Sequence, residues 1–193
     1  MGNTEKQYSR VKEAEEIIKN LCAKQPEVLW CVRPENVAVL GIENKERPEK
    51  NTTLAKIKPV KGCEKAILQD NNIPIRYCIE IFWSDFNTWT EKQKQWILLH
   101  ELLHIHHEVG KSIKHDCEDW RIILSKVGVE WWKKEDLPDL LNDDVKFDLN
   151  LRPSLKDIDE DGEREEDDDG EEKEEKEEPE KDKVEKEDKP AKE

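Results

Sequence analysis

Apolar residues recur at helical spacing near the beginning of the chain, from about residue 5 to residue 24. Charged side chains lie between them, so this segment is predicted to be an amphipathic helix that ends before Pro26. The apolar positions that form its stripe are Tyr8, Val11, Ala14, Ile17, Ile18, Leu21 and Cys22.

Three later stretches have the patterns of β-strands. Residues 37–42 form a short apolar run that suits a buried strand, and a less regular strand is predicted around residues 54–60. The clearest strand covers residues 75–83, where β-branched and aromatic residues alternate with other side chains at a period of two. Together with the helical segments, these strands predict an α+β domain with a small β-sheet.

A second helix is predicted soon after the last strand. Residues 84–87 are expected to form a turn, after which Thr90 and Gln93 have the spacing of a capping box. The helical pattern then covers residues 91–109, and Gly110 suits a left-handed C-cap. This helix carries the residues from which a function is inferred below.

A third helix is predicted near residues 116–127, and two tryptophans that follow it, Trp131 and Trp132, are expected to close the domain. We therefore assign residues 1–147 to one folded domain, with its core at about residues 30–132. Residues 148–193 are assigned to a C-terminal tail.

The tail carries most of the charge of the chain. Of the net charge of −15, the segment from Arg152 to the C-terminus contributes −12, because it contains 22 acidic and 10 basic residues. It has almost no apolar side chain that could offset the entropy of ordering it, so it is predicted to be disordered. A solubilising role is favoured, and contact with a basic protein partner is the alternative.

Cysteine usage and the N-terminal residues indicate the compartment. The five cysteines are odd in number and form no Cys-x-x-Cys pair, so they are predicted to be reduced thiols. The N-terminus lacks an apolar signal core, and no apolar stretch is long enough to span a bilayer. These features predict a cytoplasmic protein that is not associated with a membrane.

The second predicted helix contains the sequence His100-Glu101-Leu102-Leu103-His104. Histidines four residues apart point to the same side of a helix, about 6 Å apart along its axis, so their imidazoles can share one ion. Zinc binds neutral imidazole nitrogen, and a catalytic zinc site uses three protein ligands plus an open position for water. The motif therefore predicts one Zn²⁺ per chain, with His100 and His104 as two of its ligands.

The glutamate of this motif is the candidate catalytic residue. Glu101 lies about 100° round the helix from His100, where its carboxylate can reach a water on the metal without coordinating the ion. Zinc lowers the pKa of such a water to about 7 and polarises a substrate carbonyl. Glu101 is therefore predicted to act as the general base in the hydrolysis of a peptide bond.

A third ligand has to come from outside this pair. On a straight helix His107 lies about 10 Å along the axis from His100, and His106 points elsewhere. A chain that folds back at Gly110 can bring His115 to the ion, so we predict His115 as the third metal ligand. The alternatives are Glu118, Asp119 and Cys117.

The chain resembles the phage metallopeptidase family and, more distantly, the SprT-like zincins, over roughly residues 30–132. The residues that carry the resemblance are 96–105, Gly110-Lys111, His115-Asp116 and Trp120. It implies a zincin-like fold in which His100, His104 and a downstream histidine hold zinc, and Glu101 is the catalytic acid and base. The chain is also similar to the ImmA/IrrE type, in which a glutamate of the following helix completes the site, and here Glu118 would take that role.

The leading hypothesis is a zinc-dependent peptidase that cleaves a protein or peptide substrate. The strand at residues 75–83 is the expected edge for pairing an extended substrate through main-chain hydrogen bonds. Tyr77, His106 and His107 are candidates for stabilising the oxyanion. The alternative is a non-catalytic interaction protein in which zinc is structural.

A protease that acts on nucleic-acid-associated proteins is a further alternative, through the SprT-like resemblance. The near-neutral domain and the acidic tail argue against direct binding to a phosphate backbone. A local group of lysines is the feature in its favour, namely Lys56, Lys58, Lys61 and Lys65.

Overall fold

The structure is a computed structural model that describes residues 6–44, 53–61, 74–108, 111–117 and 119–152. Within these residues the chain forms an α+β domain with a small mixed sheet of four strands and four α-helices. Of the predicted tail, residues 148–152 are described and include the 3₁₀ helix Leu149–Leu151, and the rest lies outside the described residues, as do Cys63, Lys65, Val109, Gly110 and Glu118.

Strands and helices alternate irregularly along the chain. The strands are β1 (Tyr8–Arg10), β2 (Val37–Ile42), β3 (Ala55–Pro59) and β4 (Tyr77–Phe82). The helices are α1 (Lys12–Lys24), α2 (Trp83–Thr88), α3 (Glu91–Leu102) and α4 (Arg121–Val127). Short 3₁₀ helices cover Pro34–Asn36, Trp131–Lys133 and Leu149–Leu151.

The order of strands in the sheet is β1-β2-β4-β3, with β2 and β4 parallel and the two outer strands antiparallel to their neighbours. Because β4 is paired on both sides, the expectation that residues 75–83 offer a free edge to a substrate is wrong. The outer strand next to β4 is β3. The local pattern could not reveal this, because strand order depends on pairings between distant segments.

The helices pack on one face of the sheet, where α1 contacts β2 and α3, and α3 contacts β3. Alternate side chains of the inner strands enter this main core, as the period of two predicts. They are Val37, Val39, Tyr77, Ile79 and Ile81. On the other face, Ala38, Cys78, Val60 and Ile75 form a smaller buried cluster.

Several predicted elements are confirmed. The strands β2, β3 and β4 lie within the predicted segments. The capping box is present at the start of α3, where the Thr90 side chain accepts from the Gln93 N–H and the Gln93 side chain accepts from the Thr90 N–H. These hydrogen bonds satisfy donors that the first turn of a helix leaves unpaired.

Two predictions near the sheet are wrong. Residues 8–10 belong to β1 and pair with β2, so the first helix begins only at Lys12. Residues 84–87 belong to α2 rather than to a turn, and the buried Phe86 stacks there on Trp83. In both segments tertiary packing outweighs a weak local pattern.

The end of α3 and the start of α4 also differ from the prediction. α3 ends at Leu102, and Ile105 forms an antiparallel bridge with Ser112, so the apolar residues after Leu102 belong to a non-helical segment. α4 begins at Arg121 instead of residue 116. The Asp116 carboxylate accepts from the Arg121 N–H at 3.0 Å, so the residues before α4 form a loop that leads into the helix.

The segment after the 3₁₀ helix Trp131–Lys133 packs back onto α3. The Trp96 indole N–H donates to the Pro138 carbonyl at 2.9 Å, and the Leu140 N–H donates to the Gln95 side chain at 2.7 Å. These bonds hold the middle of α3 between the sheet and the C-terminal part of the domain.

Within the described ranges, every helix falls short of the length and apolar character that crossing a bilayer requires.

Candidate metal centre

Three histidines converge beside the end of α3. His100 lies in the last turn of α3, His104 follows two residues after the helix ends at Leu102, and His115 comes from the loop that precedes α4. The Nε2 atoms of His100 and His115 are 3.0 Å apart, and one ring nitrogen of each histidine lies within 4.8 Å of the others. Three imidazole nitrogens this close can hold a single metal ion.

The loop that carries His115 is fixed beside the end of α3 by one hydrogen bond on either side of it. The Ile113 N–H donates to the His104 carbonyl at 2.7 Å, and Ile113 itself is buried. The Trp120 indole N–H donates to the His100 carbonyl at 3.0 Å, and Trp120 is fully buried. His115 is exposed itself, yet its backbone is held close to His100 and His104.

The ring of His104 is oriented by the same loop. Its Nδ1 lies 2.6 Å from the Ile113 carbonyl oxygen, so this nitrogen donates a proton and Nε2 remains as the lone-pair nitrogen. Burial lowers the pKa of His104 to about 4, although the bond to Ile113 acts in the opposite sense. The imidazole is therefore neutral near pH 7, and neutral imidazole is the form that binds metal.

His100 is oriented by a carboxylate. Its Nδ1 lies 2.9 Å from Oδ1 of Asp119, and the other Asp119 oxygen accepts from the Trp131 indole N–H at 2.7 Å. Burial acts to raise the pKa of Asp119, but the close contact with His100 and the hydrogen bonds from the Trp131 indole and the Trp120 N–H outweigh it and lower the pKa. A carboxylate behind a histidine fixes the ring and raises the basicity of its other nitrogen.

Glu101 is nearly inaccessible, with 5% of its surface exposed. Its Oε2 accepts from the Ile57 N–H of β3 at 2.8 Å, which ties the helix to the outer strand of the sheet. Burial raises the pKa of Glu101, while nearby His100 and the bond from Ile57 act to lower it. A carboxylate with a raised pKa is a better proton acceptor than an exposed one.

A cavity of about 530 Å³ opens over these residues. One part of its lining is polar and comes from the three histidines, Glu101, Ser112 and Asp119. The facing wall comes from residues 53–57, and the remaining apolar surface comes from Ile97, Trp131 and Trp132. The cavity therefore places an apolar surface and a strand edge beside a group of side chains that can hold a metal ion.

The structure places the alternative third ligands differently. Asp119 contacts His100 instead of joining the three histidines, and the Cys117 thiol donates to the Asp119 carbonyl at 2.8 Å. Glu118 lies outside the described residues. The sequence indicates Asp119 only as a possible ligand, because the contact of Asp119 with His100 depends on how the loop folds.

The three candidates for stabilising an oxyanion do not line this cavity. Tyr77, His106 and His107 line a second, separate cavity, and the Tyr77 hydroxyl donates to the Lys111 carbonyl at 3.1 Å. That expectation is therefore wrong. For His106 and His107 the physical reason is that the predicted helix continues past His104, whereas in the structure the chain leaves the helix axis after Leu102.

Replacing Asp119 with asparagine is expected to weaken metal binding about 10- to 100-fold, because His100 loses the charge that raises its basicity. Competition with a chromogenic chelator measures this affinity. The matched control is Asp116→Asn, since Asp116 lies in the same loop but bonds to the Arg121 N–H. Equal affinities for Asp119→Asn and the wild type would contradict the assigned role.

A family model with the description "Putative phage metallopeptidase" matches residues 6–142. The match includes the whole sheet, α1 to α4 and all three converging histidines. No curated protein and no solved structure matches the chain.

Proposed function

The chain belongs to the family described as "Putative phage metallopeptidase", and from this premise we propose that it is a zinc-dependent peptidase of the His-Glu-x-x-His type. One Zn²⁺ per chain would be held by His100, His104 and His115. Glu101 is the general base, and the domain is zincin-like. The substrate is a protein or a peptide.

The observation that carries this proposal is the convergence of three histidines with a buried glutamate at one cavity. Nδ1 of His100 contacts Asp119 and Nδ1 of His104 contacts the Ile113 carbonyl, so each ring directs Nε2 to the shared position. A set of three imidazoles suits zinc. When bound, zinc supplies a Lewis acid that activates water and polarises a carbonyl.

The chain's own residues perform the proton transfers. Glu101 accepts a proton from the attacking water, and the pKa raised by burial favours this step at neutral pH. The same carboxyl group then returns the proton to the leaving amine. The Ile57 N–H holds the carboxylate at one oxygen, which leaves the other oxygen for the water.

Substrate binding is assigned to β3. Within the described residues β3 pairs with β4 alone, and residues 53–57 line the cavity, so the outer edge of β3 can accept an extended peptide at main-chain groups other than the Ile57 N–H, which bonds to Glu101. The nearby side chains of Ile97, Trp131 and Trp132 favour an apolar residue next to the cleaved bond.

A structural role for the metal is the competing function. A structural zinc site has four protein ligands and no open position. Among the described residues, the converging group contains three side chains, and it faces a cavity that can admit a substrate. Both features favour catalysis over a purely structural role.

Incubation of the zinc-loaded full chain with a proteome-derived peptide library tests the proposal. We expect new peptide termini to appear, to be lost after chelation of the metal, and to return when zinc is added back. Mass spectrometry of the termini identifies the cleaved sequences, and apolar residues are expected next to the cleaved bond. A library that remains intact with zinc present would contradict the proposal.

A further inference from the structure

A second cavity, of about 270 Å³, lies at the amino-terminal ends of two parallel strands. The register of β2 and β4 places Val37 opposite Tyr77, so the residues just before each strand meet. Here the Arg76 N–H donates to the Asn36 carbonyl at 2.8 Å, and both residues line the cavity. None of its lining residues is shared with the cavity over the three histidines.

The lining of this cavity is basic. Arg33, Arg76, His106 and His107 contribute to it, whereas no aspartate or glutamate of the described residues does. Within the part of the chain that the structure describes, neither Arg33 nor Arg76 forms an ion pair. Two uncompensated guanidinium groups at one concave site are notable in a chain with a net charge of −15.

An aromatic side chain and a third arginine lie at the rim. The indole of Trp30 is 53% exposed and stacks on the ring of His107, with the ring centroids 6.2 Å apart. The Arg152 guanidinium lies 5.3 Å from the centre of the Trp30 ring, and its Nη2 lies 3.6 Å from the sulfur of the lining residue Cys31. The rim therefore offers both positive charge and an exposed apolar surface.

We propose that this cavity binds a phosphate monoester group. The planar fork of a guanidinium pairs with two phosphate oxygens at once, and a phosphate monoester carries a charge of about −1.5 to −2 near pH 7. That charge matches Arg33 and Arg76 together, whereas a single carboxylate would leave one of them uncompensated. The space beyond the phosphate, next to Trp30, accommodates the organic group that the phosphate is attached to.

Isothermal titration of the zinc-loaded full chain at low ionic strength tests this site. The probes are inorganic phosphate, O-phosphoserine and adenosine monophosphate, with acetate as the carboxylate probe. We expect the phosphate probes to bind and acetate not to bind. Arg33→Gln or Arg76→Gln should each weaken phosphate binding about tenfold or more, because each removes a charge-assisted pair of hydrogen bonds.

The matched control is Lys19→Gln, which removes one exposed positive charge on α1 and should leave binding unchanged. If phosphate binds at the metal instead, neither arginine substitution should change its affinity. An unchanged affinity in both variants would therefore overturn the proposal. Equal binding of acetate, equal weakening by Lys19→Gln, or no binding of any phosphate probe at millimolar concentration would also overturn it. Arg33 is exposed, so Arg33→Gln remains a fair test even if Arg76→Gln fails to fold.

The three phosphate probes distinguish the source of the ligand. Equal affinities for the three probes indicate that the site recognises the phosphate group alone, through the two arginines. A higher affinity for adenosine monophosphate or for O-phosphoserine identifies the attached group as part of the ligand, and Trp30→Ala should then lower that affinity to the value for inorganic phosphate. Each of these results supports a phosphate site and specifies its extent.

Discussion

Replacing Glu101 with glutamine is expected to abolish peptide hydrolysis and to leave the metal bound. The substitution removes the proton acceptor and keeps the size of the side chain. In the wild type the Ile57 N–H donates to Oε2 of Glu101 at 2.8 Å. The glutamine oxygen can accept the same hydrogen bond, so α3 and β3 should stay together. The three histidines are unchanged. Loss of a general base lowers the rate about 10²- to 10⁴-fold.

Two measurements on the same preparation decide this prediction. The rate of cleavage of a peptide from the library reports the base, and elemental analysis reports the zinc content. The control is Glu91→Gln, which makes the same chemical change in the first turn of the same helix, where Glu91 pairs with Lys94. Full activity in Glu101→Gln would exclude Glu101 as the base, and loss of zinc would make it a ligand.

Replacing His115 with alanine is expected to remove most of the bound zinc. Its Nε2 lies 3.0 Å from that of His100, and the remaining pair of histidines gives zinc only two protein ligands. Because loss of a supporting residue already costs about 10- to 100-fold in affinity, loss of a ligand should cost more than about 100-fold. The fold should survive, since Ile113 and Trp120 anchor the loop on both sides of the exposed His115.

His106→Ala and His107→Ala are the matched controls for His115→Ala. Both histidines follow closely after His104 in the sequence, but they line the second cavity and are absent from the converging group. Zinc content after dialysis against a weak chelator should therefore fall for His115→Ala and stay near one per chain for the other two. Full zinc in His115→Ala, with loss in Glu118→Ala or Asp119→Ala, would favour a carboxylate ligand instead.

The parts of the fold that the sequence predicts well are those that depend on local patterns. The alternation along β4 and the apolar run of β2 arise from burial of these strands, and both elements are confirmed. The capping box at Thr90 is a contact between residues three positions apart, so its spacing is visible in the sequence. In each case the determining interactions lie within a few residues of one another.

The parts that were missed depend on distant contacts. β1 has only three residues, and its pairing with β2 is formed across α1. α3 ends at Leu102 because the chain then pairs Ile105 with Ser112, although the apolar pattern continues through Ile105. A pattern of apolar residues reports burial, and it does not reveal which backbone conformation achieves that burial.

The candidate site depends partly on local sequence spacing and partly on contacts between distant residues. The spacing of His100, Glu101 and His104 is local, and the sequence predicts one helix for all three, whereas the structure places His100 and Glu101 in the last turn of α3 and His104 just after its end at Leu102. A chain that folds back after His104 predicts His115 near the other two histidines, and the structure brings the three together. The contact of Asp119 with His100 and that of Ile57 with Glu101 depend on tertiary packing, so neither could be predicted. The catalytic and ligand roles themselves stay predictions.

A crystal structure of the zinc-loaded full chain, with anomalous scattering recorded at the zinc edge, tests the central claim most directly. We expect one zinc ion per chain, held by ring nitrogens of His100, His104 and His115 at about 2.0–2.1 Å, with no fourth protein ligand and an open side toward Glu101 and the cavity. A zinc ion with four protein ligands, or one bound away from these histidines, would contradict the account of a catalytic metal site.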